Sequence, residues 1–176
     1  MRLFFALDLD SDTRLAIDNW RQRQLHCDGR PVPAANFHVT LAFIGEVGNS
    51  ALEALCQQVD EHLASTSAQN FTLALDQVGY WPRPGIFWLG SSAVPDAAKQ
   101  LAKSLRGIAS AAGGKRDKKP WQPHVTLYRR CNSAPPAPPS VPILAVPGKH
   151  VTLFESLNGR QGVSYHPVAD WTLTGH

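Results

Sequence analysis

Bulky apolar residues fill Arg2–Leu9, which predicts a buried opening strand. It ends in Asp8-Leu9-Asp10-Ser11-Asp12, a cluster able to cap the helix marked by Leu15, Ile17, Trp20 and Leu25. After Gly29-Arg30-Pro31-Val32-Pro33, apolar and polar positions alternate through Phe37–Ile44 as in a strand. Gly45–Asn49 then turns, and Leu52, Leu55, Val59 and Leu63 recur at helical spacing. Phe71–Leu75 and Ile86–Leu89 read as strands around Trp81-Pro82-Arg83-Pro84-Gly85, whose prolines and glycine suit a turn, so the simplest pairing joins the two in a hairpin. Leu101, Leu105 and Ile108 give a third helix over Ala97–Ala112, stopped by Gly113-Gly114. His124–Tyr128 is a short strand, the proline-rich stretch Pro135–Pro147 is a loop, and Val151–Leu157 and Val163–Leu173 close the chain as strands. Strands separated by helices, with hairpins between some of them, predict an α+β or mixed-sheet fold rather than a purely parallel one.

The composition narrows this picture. The chain has 176 residues, 43% of them hydrophobic, which suits one compact unit or two small lobes sharing a core. Only 18% are charged, Gly (13) and Pro (14) are moderate, and no heptad is sustained, so disordered, collagen-like and coiled-coil classes are excluded. The apolar run Leu3–Leu7 stops at Asp8 and lacks a small-residue cleavage site. It is therefore a strand rather than a signal peptide or membrane span, and a cytoplasmic protein is expected. Cys27, Cys56 and Cys131 lack C-x-x-C spacing and are expected to be buried or incidental thiols. A net charge of +3 favours a polyanionic partner only weakly.

The chemistry lies in a repeated tetrapeptide. His-Val-Thr-Leu occurs at His38–Leu41, His124–Leu127 and His150–Leu153, whereas seven His and the eight Thr of the sequence give roughly 0.3 His-x-Thr triplets by chance. On a strand, residues two apart share a face, so each copy presents an imidazole and a hydroxyl together while Val and Leu enter a core behind them. Two such pairs suit acid–base displacement at a phosphodiester: one imidazole deprotonates water, the other protonates the leaving oxygen, and the Thr hydroxyls donate to non-bridging oxygens. Such chemistry requires no metal or other cofactor. His38 and His124 each follow a turn-rich approach and a helix, as equivalent positions in two half-molecules would. His150 lies only 26 residues past His124 with no helix between, so its strand is expected beside that of His124, with the imidazole structural or exposed at a rim.

At Asn36–Gly45 and Pro123–Arg129 the sequence resembles the two signature motifs of the 2H phosphoesterase superfamily, most closely its bacterial RNA 2′,3′-cyclic phosphodiesterase (2′-5′ RNA ligase) branch. The similarity runs from Arg2–Leu7 through Trp88-Leu89-Gly90 to Leu153–Ser156. It implies a single domain over residues 1–176 in which two pseudo-symmetric, intertwined α/β lobes face a cleft. It also implies metal-independent opening of a terminal 2′,3′-cyclic phosphate to a 2′-phosphate, with His38 as proton donor and His124 as proton acceptor, directions the sequence alone does not assign. The partner is then RNA with a 2′,3′-cyclic phosphate end or a small cyclic nucleotide.

Phe43 and Arg129 each lie five residues after their histidine, where Phe43 can stack on a base and Arg129 meet phosphate or ribose. An offset of five points away from the histidine face, so contact requires a bulge or a strand end. Lys115-Arg116-Asp117-Lys118-Lys119 either gathers RNA by charge or is a solvated loop, and Trp121 either stacks on a base or packs under that loop. Trp20, Trp88 and Trp171 are expected in the core; His26, His62, His166 and His176 have no partner motif. Three readings compete with metal-free two-histidine hydrolysis: ligation of RNA ends through a 2′-5′ bond at the same atoms, a zinc hydrolase using His38, His124 and His150, and a non-catalytic RNA-end binder. The chain is expected to be a monomer without membrane attachment.

Overall fold

A computed structural model describes residues 1–115 and 117–175; Arg116 of the basic run and His176 lie outside the described residues. The chain runs β1 (Arg2–Asp8), α1 (Ser11–Gln24), β2 (Arg30–Pro31), a 3₁₀ turn (Ala34–Asn36), β3 (His38–Glu46) and α2 (Asn49–Thr66). It continues through β4 (Phe71–Leu75), β5 (Gln77–Trp81), β6 (Ile86–Gly90), α3 (Asp96–Ala111), β7 (His124–Arg129), β8 (Leu144–Gly148), β9 (His150–Gly159) and β10 (Gly162–Thr172).

Two four-stranded antiparallel sheets result, in the orders β10-β9-β1-β3 and β2-β7-β6-β5, with β4 and β8 forming a separate ribbon. This is the α+β class the pattern predicts. In the first sheet β1 is interior and buried on both faces, which explains its unbroken apolar run: Leu3, Phe5 and Leu7 enter the main core, whereas Phe4 and Ala6 turn to the opposite face with Phe154. The main core is continuous, reaching from Leu3 and Val39 to Val125 and Leu127 in the second sheet.

The helices tie the sheets together. Although α3 follows a strand of the second sheet, it packs on β3 of the first. The opposite exchange is made by α1, whose Arg21 reaches across to β7. There Arg21, only 6% exposed, donates from its guanidinium to the carbonyls of Leu127 (2.9 Å) and Val32 (2.6 Å) and to Asp18 (2.8 Å), and lies over the Phe37 ring at 4.9 Å. Asp10 caps α1 by accepting from Thr13 N–H at 2.7 Å.

Two sequence expectations are corrected. Phe71–Leu75 does not pair with Ile86–Leu89: the hairpin is β5–β6, and β4 pairs instead with β8. The difference arises because Gly79 interrupts Gln77–Trp81, so no regular apolar alternation marks that segment as a strand. Nor is Pro135–Pro147 wholly irregular, because β8 begins at Leu144 and includes Pro147 opposite Thr72. A two-stranded ribbon has only edge strands, where a missing N–H can face away from the ladder.

Candidate active site

Both motif strands bend at the same place. Opposite β3, Ala6 pairs with Thr40 and Phe5 with Ala42, leaving Leu41 as an extra residue; opposite β7, Trp88 pairs with Thr126 and Phe87 with Tyr128, leaving Leu127 extra. Each bulge falls three residues after its histidine and reverses the alternation beyond it. His38, Thr40, His124 and Thr126 therefore line one cleft of about 1390 Å³ together with Phe43 and Arg129, while Val39, Leu41, Val125 and Leu127 are buried behind them. The five-residue offset is accommodated by a bulge in both strands. Phe43 is 70% exposed at the cleft rim, its ring 6.1 Å from that of Phe4.

The imidazoles are held alike. His38 Nδ1–H donates to the Asn36 carbonyl at 2.8 Å and His124 Nδ1–H to the Gln122 carbonyl at 2.7 Å, so each carbonyl lies two residues upstream. The approaches carrying those carbonyls are themselves fixed, by the 3₁₀ turn before His38 and by Gln122 Nε2 donating to Ser91 O at 3.0 Å before His124. With Nδ1 committed as a donor, Nε2 is the atom free for proton transfer in each ring. His38 Nε2 accepts from the Thr40 hydroxyl at 2.9 Å, and His124 Nε2 carries no hydrogen bond among the described residues.

Aromatic rings wall each histidine. His38 has Tyr165 edge-on with centroids 5.0 Å apart and Phe4 also at 5.0 Å; His124 has Trp81 edge-on at 4.7 Å and Trp88 at 5.9 Å. This crowding sets the titration. Burial lowers His38 from the ordinary 6.5 to about 4, opposed by the Asn36 carbonyl and reinforced by the positive fields of Arg129, His124 and Arg14. Burial and Arg129 lower His124 as well, against the Gln122 carbonyl. Burial therefore leaves both rings neutral at pH 7. An anion between them favours the protonated form, and the cleft is built to attract one: Arg2, Arg83, Arg106, Lys115, Lys119 and Arg129 line it, against the one carboxylate of Asp117 among the described residues.

Lys115 and Lys119 of the basic run thus border the cleft, held by Arg106, which donates to Lys119 O at 2.7 Å and pairs with Asp117 at 3.5 Å. Trp121 lines the cleft too and donates its indole N–H to Thr40 O at 2.9 Å, locking the second approach onto the first motif strand. Trp20 is buried with its N–H on Ser140 O, whereas Trp171 is only half-buried and Trp88 is at once buried and part of the cleft wall. Sequence reasoning missed Phe4, Trp81 and Tyr165. Trp81 stands where a turn was expected, and Phe4 and Tyr165 carry no signal beyond strand alternation.

His150 is not brought to the cleft. Its strand β9 lies beside β1 in the sheet of His38, not in that of His124 as expected, and its exposed imidazole meets Thr172 on the neighbouring strand at 3.3 Å. Topology overrides chain proximity here, since β8 and the proline-rich segment carry the chain back to the first sheet. The three imidazoles of the zinc reading do not converge; among the described residues the group of metal-ligating side chains that does is Cys27, Asp28 and Cys131, outside the cleft lining.

A sequence profile of the 2′-5′ RNA ligase superfamily matches residues 9–159. The chain is 38% identical to the RNA 2′,3′-cyclic phosphodiesterase of Escherichia coli K12, over 98% of this chain and 97% of that one. It is 30% identical to the enzyme of the same name from Thermus thermophilus, over 99% and 91%. A crystal structure of E. coli LigT complexed with 3′-AMP superposes with a TM-score of 0.87 at 38% identity, covering 98% of both chains. No helix among the described residues is long and apolar enough to cross a membrane.

Proposed function

The chain belongs to the 2′-5′ RNA ligase superfamily, and we propose that it is an RNA 2′,3′-cyclic phosphodiesterase that opens a terminal cyclic phosphate to a 2′-phosphate by two-histidine, metal-independent catalysis. The observation that carries this reading is the pair of strands β3 and β7, each presenting an imidazole Nε2 and a threonine into one cationic cleft. His124, already the tautomer with Nε2 unprotonated, takes a proton from water as that water attacks phosphorus. His38, protonated at Nε2, gives its proton to the departing ribose O3′. Thr40 and Thr126 donate to the non-bridging oxygens, and Arg129 adds charge where negative charge develops.

For His38 to act as the acid its titration must rise from the low value that burial imposes, and the phosphate anion of the substrate supplies the cause. Once Nε2 is protonated it no longer accepts from Thr40, which frees that hydroxyl to donate to the substrate. Phe43 offers an exposed ring to the terminal base. With an RNA 5′-hydroxyl in place of water the same groups serve reversible 2′-5′ ligation.

We read residues 1–176 as one domain of two intertwined lobes, each contributing one motif, and the protein as a cytoplasmic monomer, since a single chain supplies both histidines. Light scattering on the purified protein checks the monomer. The function is tested by incubating the protein in EDTA with a short RNA ending in a 2′,3′-cyclic phosphate and identifying the product end by chromatography. A 2′-phosphate is expected. Activity that appears only with added zinc overturns the mechanism, and tight end binding without turnover overturns the enzyme reading.

A further inference from the structure

Cys27 and Cys131 stand 104 residues apart in the chain, yet their sulfurs lie 2.8 Å apart, inside ordinary van der Waals contact. Cys27 sits in the link between α1 and β2; Cys131 follows β7 by two residues. The packing that brings them together is tight: a Cβ on Gly29 would meet both Cys131 Sγ and Arg129 O at 2.7 Å. Cys131 is further anchored to the β5–β6 hairpin, donating N–H to Gly85 O at 2.9 Å and accepting from Tyr80 O–H at 3.3 Å. Arg130 between Arg129 and Cys131 adopts the left-handed conformation, with φ +57°.

We propose that Cys27 and Cys131 are a redox-active dithiol that a small disulfide oxidant closes into an intramolecular disulfide, fastening the α1–β2 link to the end of the strand that carries His124 and Arg129. The two thiols divide the work. Cys27 is half-buried on a surface cavity of about 480 Å³, where a small oxidant can reach it, and accepts the Gly29 N–H at 3.3 Å. Cys131 is buried, and burial together with the neighbouring sulfur pushes it up to about 12, so it keeps its proton until the second step. The Cys27 thiolate attacks one sulfur of oxidised glutathione, forming a mixed disulfide and releasing one glutathione thiolate. Cys131 then attacks Cys27 Sγ, its proton passing to solvent, and the second glutathione leaves. The two cysteines lose two electrons and two protons, and oxidised glutathione becomes two molecules of the thiol.

Asp28 places a carboxylate oxygen within 4.8 Å of both sulfurs, so a metal centre is the competing use. Two thiolates on one tetrahedral zinc, with Zn–S about 2.3 Å, stand about 3.7 Å apart. The sulfurs here are closer than one ion permits, which favours the covalent pairing.

The test treats the full-length protein with oxidised glutathione and counts thiols after denaturation. The expected count falls from three to one, the intact mass falls by two hydrogen atoms, and peptide mapping finds Cys27 joined to Cys131. Dithiothreitol reverses all three. The thermal midpoint of the oxidised protein should rise by about 10 °C, as closure of a loop of this length implies, in wild type and Cys56→Ser but not in Cys27→Ser. A count that stays at three, a product carrying glutathione only, or a bond to Cys56 overturns the proposal. A cadmium–thiolate absorption band from a protein whose thiols resist the oxidant overturns it in favour of a metal centre.

Discussion

Arg21→Met isolates the contact that joins α1 to the second motif strand. Methionine keeps the apolar stem but removes donors to Val32 O, Leu127 O and Asp18. Leu127 O still accepts from Val32 N at 2.9 Å, so only Val32 O loses its partner outright. Asp18 remains 21% exposed and still accepts from Gln22 at 3.0 Å, so its carboxylate is not stranded. One orphaned carbonyl costs about 1–3 kcal/mol, and the weakened charged contacts to Leu127 and the Phe37 ring add about 1–2 kcal/mol. The expected loss is about 2–5 kcal/mol by urea denaturation, or roughly 4–20 °C in thermal midpoint for a chain of this size. Arg21→Lys should recover less than half, since one ammonium does not span two carbonyls and a carboxylate. A loss below about 1 kcal/mol for the methionine variant would refute the reasoning. The cost of burying the guanidinium would then cancel what its bonds contribute.

Other expectations follow from the site. His38→Ala and His124→Ala should each lose about 10²–10⁴-fold in kcat, whereas His150→Ala should stay near wild type; comparable loss at His150 contradicts the choice of pair. Because burial holds both imidazoles below 6.5, kcat/KM, which reports the free enzyme, should be bell-shaped with its maximum on the acidic side of 6.5, and the kcat profile should lie at higher pH, where bound phosphate raises the pair. Coincident profiles centred above pH 7.5 would contradict this. His38 is neutral in the fold and depressed relative to the unfolded chain. Its contribution to stability is therefore complete above about 6.5 and withdrawn as pH falls toward 4, by at most about 3 kcal/mol and less where the open cleft screens it. Urea melts of wild type and His38→Gln should diverge over that window, and parallel curves would contradict it. Gly79→Ala would drive a methyl into the Trp88 ring, so it should cost about 1–3 kcal/mol in urea melts and lower kcat by shifting the wall beside His124.

The local pattern carried most elements and the identity of the cleft floor. A two-residue period of imidazole and hydroxyl over buried Val and Leu depends only on strand geometry, so the His-Val-Thr-Leu repeats were legible before any fold was known. The helices were legible for the same reason, since their apolar stripes repeat within a few turns. Pairing was not: whether Phe71–Leu75 joins Ile86–Leu89 or Leu144–Gly148 depends on contacts tens of residues apart, and no local period reports it. The third repeat makes the same point. Its tetrapeptide is identical to the other two, yet its strand joins the first sheet with the imidazole in solvent.

By itself, then, the sequence determined the α+β class, the strands that bear the chemistry, and the residue types able to pass protons. Tertiary structure alone decided which sheet the third repeat joins, because sheet order depends on contacts far apart in the chain. It also supplied the bulges at Leu41 and Leu127 that turn Phe43 and Arg129 to the cleft, the aromatic walls of Phe4, Tyr165, Trp81 and Trp88, and the meeting of Cys27 with Cys131. Each arises where distant segments pack together, and burial, which also sets the titration of both histidines, does not exist until they do.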